Sequence, residues 1–150
     1  MFMTDADLRH TSTWDARLGQ AVATAERVEH WRATGETATR AAHSHVNPAP
    51  ALDGHVATGD AAAAFDPISA LGIGFSLRSG MESARVAAAA AANEDEAGPA
   101  AAAYAASIER IYEDYRARLA AIYARERRWP GSPFWERRAA RSRSRRGVSG

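Results

Sequence analysis

Between Gly59 and Gly80 the chain reads GDAAAAFDPISALGIGFSLRSG, and this stretch restricts the backbone more than any other in the 150 residues. The preceding His55-Val56-Ala57-Thr58 has two β-branched residues and suits a short strand. Gly59 can end that strand in a conformation closed to other residues. Asp60 then falls at a strand's carboxyl end, where open α/β sheets place ligands and a carboxylate can accept from ribose or ribityl hydroxyls. An ordinary Asx turn would use the same residue. Pro67 fixes φ and lacks an N–H, so it predicts a bend before the helix that the pattern starts near Leu71. Gly72 and Gly74 leave no side chain over that helix start. Its unsatisfied N–H groups and positive dipole end suit a carbonyl oxygen of a cofactor ring, or a phosphate. Glycines at this spacing also serve close helix packing.

The rest of the chain is predicted as helix with little strand. Ser12 or Thr13 caps a first helix to about Ala33, with Trp14, Leu18, Ala21, Val22, Ala25, Val28 and Trp31 forming a core face. Gly35, Pro48, Pro50 and Gly54 punctuate the next stretch, leaving room for a strand from Arg40 to Val46. His43 and His45 share a face of it, a spacing that metal ligands use, but no third ligand accompanies them and a polar strand face is the expectation. The helix from Leu71 ends near Ala92, before Asn93-Glu94-Asp95-Glu96 and Gly98-Pro99. A long helix is expected over Ala100 to Arg127, with Tyr104, Ile108, Ile111, Tyr115, Leu119 and Ile122 in one apolar stripe that Tyr112 and Tyr123 widen. Trp129, Phe134 and Trp135 sit where Pro130, Gly131 and Pro133 break that helix. They read as anchors for a short final helix to about Arg141.

Composition limits the alternatives. About a quarter of the residues are alanine, which buries little area per side chain, so the core is expected to be thin. There is no cysteine, which excludes disulfides, thiolate catalysis and cysteine metal sites. The net charge of +1 gives no global electrostatic case for nucleic acid or membrane. Arginine nevertheless dominates from Arg125 onward, opposed only by Glu126 and Glu136, and the residues from 142 to 150 read as a disordered basic tail. No apolar run is long enough to span a bilayer, and a soluble, cytoplasmic protein is expected.

The order GDAA, a proline, GxG and a helix carrying Gly80 and Ala84 resembles the second flavin-contacting motif of FAD-dependent monooxygenases and halogenases. AFDPISALGIGFSLRSGMESAR looks most like the tryptophan-halogenase-like group, which includes the maturation flavoproteins of quinone-cofactor amine oxidases. Tyr123-Ala124-Arg125-Glu126-Arg127-Arg128-Trp129-Pro130, with Ser132-Pro133-Phe134-Trp135 and Arg137-Arg138, is similar to the carboxyl end of that group. Met3-Thr4-Asp5-Ala6-Asp7-Leu8 resembles its substrate-domain segment. The resemblance implies that Gly59 and Asp60 meet the ribityl chain of FAD, that Pro67 lies near the isoalloxazine, and that the backbone of Gly72, Ile73 and Gly74 faces the pyrimidine edge. Phe65 and Asp66 are weaker candidates beside core packing and turn capping.

The implied fold is mainly α with a few strands: the C-terminal portion of an α/β, glutathione-reductase-like FAD-binding protein without its N-terminal dinucleotide-binding βαβ unit. Residues 1–53 would end a substrate-domain segment, 54–97 carry the flavin motif and its helix, and 98–141 form a C-terminal helical region. Consistent with that division, no G-x-G-x-x-G occurs in the chain, and Met1 is expected to be an internal start. The halogenase WxWxIP motif is missing, and there is no lysine at all, so halogenation through a lysine-bound oxidant is not expected of these residues. Implied partners are FAD, an aromatic or protein-bound substrate, and a reductase or partner enzyme. No metal is expected. Two other readings stay open: a noncatalytic helical interaction module using the Tyr104 to Ile122 stripe, and an arginine-tailed RNA binder.

Overall fold

A computed structural model describes residues 4–8, 13–32, 34–36, 38–52 and 54–146. Thr13 caps the first helix through its side chain, accepting from the Ala16 N–H at 3.2 Å. The predicted single helix is in fact two, α1 (Trp14–Gln20) and α2 (Val22–Val28), separated at Ala21, whose N–H turns back to the Leu18 carbonyl. Neither contains a buried residue. Trp14 and Val22 are exposed, and Trp31 is 78% exposed, so the predicted core face is not core. A 3.6-residue period fixes which residues share a face but not whether another element covers that face. Ser12 and Ala33 lie outside the described residues.

The predicted strand from Arg40 shrinks to β1 (His45–Val46). Residues 38–44 are irregular, and Pro48 and Pro50 come directly after β1. Next come β2 (Ala51–Leu52) and β3 (His55–Val56), an antiparallel hairpin that pairs Ala51 with Val56 and Leu52 with His55 around Gly54 at φ +76°. A 3-10 turn over Gly59–Ala61 leads into β4 (Ala63–Ala64), which returns antiparallel to β1, with Val46 opposite Ala63. These four two-residue strands order the chain that carries the predicted site.

A second 3-10 turn, Pro67–Ser69, delivers the backbone to α3 (Gly72–Ala92). Asn93 both ends α3 and starts α4 (Glu94–Arg125), accepting from the Asp95 N–H at 3.1 Å. The break expected over residues 93–99 is therefore a single residue, with Gly98 and Pro99 inside the new helix. After a turn at Gly131 (φ +79°), α5 runs over Pro133–Arg146, beyond the expected end near Arg141 and into the stretch read as an irregular tail.

Helices α3 and α4 pack along each other over the short strands. The core joins Phe75 and Val86 of α3, Tyr104 and Ile108 of α4, and Ala62 and Ala63 from the turn before β4 and its first residue. Phe65 meets Phe75 edge-on at 4.7 Å and Tyr115 at 4.8 Å. Such pairs contribute about 0.5–1.5 kcal/mol each beyond the area they bury. The expectation of few large aliphatic groups is met, and tyrosine supplies the missing volume: Tyr104, Tyr115 and Tyr123 are all buried. The α4 stripe thus faces the chain's own interior at Tyr104, Ile108 and Tyr115, while Ile122 at its far end is exposed.

One side-chain bond ties α3 to α4, and a second set ties α5 to the segment around Asp5. Ser107 Oγ of α4 donates to Glu82 Oε2 of α3 at 3.0 Å, while Arg78 Nε takes Oε1 at 2.8 Å. Burial opposes the Glu82 charge, yet the bonds from Arg78 and Ser107 hold its pKa below the usual value. At the far end, Arg137 and Arg138 of α5 grip Asp5 and Asp7, so the two outermost stretches of the family resemblance meet in space. Among the described residues no helix is long and apolar enough to cross a membrane.

Candidate functional site

Gly59 takes a left-handed conformation, φ +54°, and is buried against α3. Its N–H donates to Ser79 Oγ at 2.9 Å, and a Cβ at this position would stand 3.1 Å from Ser76 Oγ. Conformation and close approach together require glycine. Pinning Gly59 to the second turn of α3 leaves the adjacent Asp60 exposed at the first 3-10 turn.

The Pro67 turn is built as its sequence predicts. Asp66 Oδ1 accepts from the Ile68 N–H at 3.0 Å, and Pro67 occupies the first position of the 3-10 turn, where no N–H is missed. The turn closes on Ala70 at φ +54°, ψ +22°, a left-handed conformation that costs a non-glycine residue about 1–2 kcal/mol. Strain of this kind persists only where the surroundings enforce it.

Here the enforcement comes from α4. Asp66 donates its backbone N–H to Tyr115 Oη at 2.8 Å, and its Oδ2 accepts from Tyr123 Oη at 2.6 Å. Tyr115 Oη is also bonded to Ser44 Oγ beside β1. Farther back, Tyr104 Oη donates to the Ala57 carbonyl at 2.7 Å. Three hydroxyls on one helix therefore hold the segment from Ala57 to Asp66. Burial, then the bond to Asp66, pushes the Tyr123 phenol up to about 12, so it remains a donor across the physiological range.

Beyond Ala70, Leu71 caps α3 without a side-chain bond, and the ladder begins with Phe75 N–H on the Leu71 carbonyl at 2.9 Å. The amides of Gly72, Ile73 and Gly74 stand ahead of it, at the positive end of a 21-residue helix. A Cβ added at Gly72 or Gly74 would meet nothing within 4 Å, so internal packing does not require glycine at either. Ile73 is 82% exposed and begins a bare apolar row with Leu77 and Met81.

Of the six predicted cofactor residues, Gly59 is buried structure, Asp60 and Pro67 are exposed on consecutive turns, and Gly72, Ile73 and Gly74 form the open helix start. Phe65 is half-buried and packs against the core. Asp66 is a buried turn cap with an added tyrosine partner. His43 and His45 have ring centroids 5.6 Å apart, and among the described residues no group of three or more His, Asp or Glu side chains gathers to hold a metal. Sequence reasoning missed Ser79 and the work of the tyrosine hydroxyls. The usable signal was tyrosine where leucine would fill the stripe, because a buried phenol needs a partner.

A cavity of about 320 Å³ opens beside the second turn, lined by Pro67, Ile68, Tyr123, Phe134 and Trp135. Phe134 and Trp135 meet edge-on at 5.1 Å, and the Arg138 guanidinium lies 3.5 Å above the Phe134 ring. The expected aromatic anchoring is met at Trp135, which packs on Tyr123 of α4 at 5.8 Å, but not at Trp129, which is 53% exposed.

A glycine-pinned acidic turn, a proline turn and a helix start without a side-chain cap thus follow one another from Gly59 to Gly74. No protein-family model matches the chain, and no solved structure matches it. A protein of Marinomonas mediterranea named "Putative FAD-dependent oxidoreductase LodB" is 34% identical over 139 residues. The match takes in 92% of this chain and 36% of that protein, so the chain spans about a third of the length of the relative it matches.

Proposed function

We propose that this chain supplies the flavin-contacting turn and helix of an FAD-dependent oxidoreductase of the monooxygenase and tryptophan-halogenase-like kind. The observation that carries the reading is the start of α3: three amides at a positive helix end, two glycines with open space above them, and strained backbone entering from a proline turn. These donors fit FAD. A flavin's pyrimidine edge offers carbonyl oxygens to the amides of Gly72, Ile73 and Gly74, and the dipole adds about 0.3–1 kcal/mol at an exposed site. Asp60 presents an exposed carboxylate that can accept from ribityl hydroxyls, held in place by Gly59 and Ser79. The likeness to a protein named as an FAD-dependent oxidoreductase supports the same cofactor.

When bound, FAD would supply the redox chemistry; the chain's own residues position it and shape the wall beside it. Pro67 presents a rigid, donor-free surface, and Tyr123, Phe134 and Trp135 make the lining of the adjoining cavity mainly apolar. The substrate assigned under this reading is an aromatic or protein-bound group, with a reductase or partner enzyme as source of electrons. The sequence contains no G-x-G-x-x-G, and none of its residues is assigned to the dinucleotide half of the cofactor.

Flavin content of the polypeptide as its host produces it tests the proposal. Wild-type protein should retain FAD through gel filtration and Asp60→Ala should lose most of it without change in helical content. Equal flavin in both, or none in the wild type, removes the assignment.

A further inference from the structure

The bonds around Asp66 do more than close a turn. The residue is a buried acid whose polar atoms all have partners: Oδ1 takes the Ile68 N–H, Oδ2 takes the Tyr123 hydroxyl, the backbone N–H goes to Tyr115, and the carbonyl accepts from both Ser69 Oγ and Ser69 N–H. An ordinary turn cap needs only the first of these. The bonds from Tyr115 and Tyr123 couple the turn to α4. Tyr123 is itself fixed by Trp135 on one side and by the Arg138 guanidinium, 5.4 Å from its ring centroid. Its hydroxyl therefore has little freedom of its own, and the Pro67 turn inherits that fixity.

Downstream, four residues separate Asp66 from Leu71, where the α3 ladder starts, and one of them is the strained Ala70. A rotation of the Asp66 carboxylate would be passed through this short linker to the amides of Gly72, Ile73 and Gly74. We infer that Tyr123 is a positioning residue of the cofactor site, acting through Asp66 to set the direction in which the start of α3 presents its amides. The inference rests on the FAD reading above and deepens it. Tyr123 need not touch the flavin, since its effect passes through a hydrogen bond and a turn.

The test uses the holoprotein as its host produces it, with Tyr123→Phe, Asp66→Asn and Asp66→Ala. Tyr123→Phe removes one oxygen and keeps the ring that packs on Trp135. Asp66→Asn keeps an acceptor for Ile68 and a polar partner for the Tyr123 hydroxyl. Two quantities are read: FAD affinity, and the visible circular dichroism of the flavin bands at saturating FAD, which reports the asymmetry around the bound ring and which lowered stability alone would leave unmoved. Tyr123→Phe should weaken FAD binding about tenfold, the equivalent of one hydrogen bond to a charged group, and change the dichroism. Asp66→Ala should do the same, and adding Tyr123→Phe to it should cost nothing further, since both act through one contact. Asp66→Asn should restore the wild-type spectrum. If Tyr123→Phe at saturation keeps wild-type affinity and dichroism while Asp60→Ala still loses FAD, positioning by Tyr123 is overturned and the cofactor assignment stands. If the wild type binds no FAD, both fall.

Discussion

Gly59→Ala isolates the backbone requirement of the acidic turn. The left-handed conformation at φ +54° costs an L-residue with a side chain about 1–2 kcal/mol. The new Cβ would lie 3.1 Å from Ser76 Oγ, closer than carbon and oxygen comfortably approach. Ser76 is exposed, however, and its Oγ can swing away by giving up its 2.9 Å bond to the Gly72 carbonyl, a contact that water replaces at little cost. Conformation therefore dominates, and the variant should lose about 1–2 kcal/mol. With a slope of ~2 kcal/mol per molar, the urea midpoint should fall by about 0.5–1 M at unchanged slope. Adding Ser76→Ala removes the contacting oxygen and should recover only a few tenths of a kcal/mol. Equilibrium urea unfolding followed by circular dichroism measures both. A single variant within about 0.3 kcal/mol of wild type would refute the argument that Gly59 is there for its backbone; full recovery in the double variant would show that the clash decides it.

The glycines of α3 should behave in the opposite way. Gly74→Ala lies in open space in a helix, so it should raise stability by about 0.5–1 kcal/mol in thermal or urea unfolding while weakening FAD binding in a fluorescence titration, because the added methyl stands over the proposed cofactor edge. The clasp between the chain's outer segments should depend on acid. A hydrogen bond from Arg137, against a smaller desolvation effect, holds Asp7 below its ordinary value of 3.8. The Asp7 part of the clasp is thus complete above that value and is lost as pH falls through the lowered one. Arg137→Gln should move the Asp7 carboxyl midpoint up toward 3.8, as read by NMR titration of its side-chain carbon.

How much of this was legible in the sequence depends on how local each cause is. The stretch from Gly59 to Gly80 determines its own backbone through glycine, proline and a capping aspartate, so both turns and the start of α3 fall within a residue or two of their expected places. Asn93 misled for a local reason as well. Helix stops and N-caps share residue types, and a cluster that reads as a loop can be one residue serving both helices. The break at Ala21 has no comparable signal, because the apolar period runs through it undisturbed. Burial of α1 and α2 failed for a different reason, since a periodic face says nothing about the presence of a covering surface. The tyrosine clamp lies between these cases. Tyr115 and Tyr123 were read correctly as members of one stripe. Their bonds to Asp66, 49 and 57 residues away, depend on how α4 lies against the motif, which spacing within a helix does not contain.

The most direct test of the account is amide hydrogen exchange at Gly72, Ile73 and Gly74 in the polypeptide as its host produces it, with and without FAD. These three amides stand ahead of the first ladder bond of α3 and should exchange rapidly in the apoprotein. Slowing confined to these residues and the neighbourhood of Asp60 on addition of FAD is the result the account predicts. Exchange that stays fast at the helix start while FAD is bound would contradict it, and would place the flavin elsewhere on the protein.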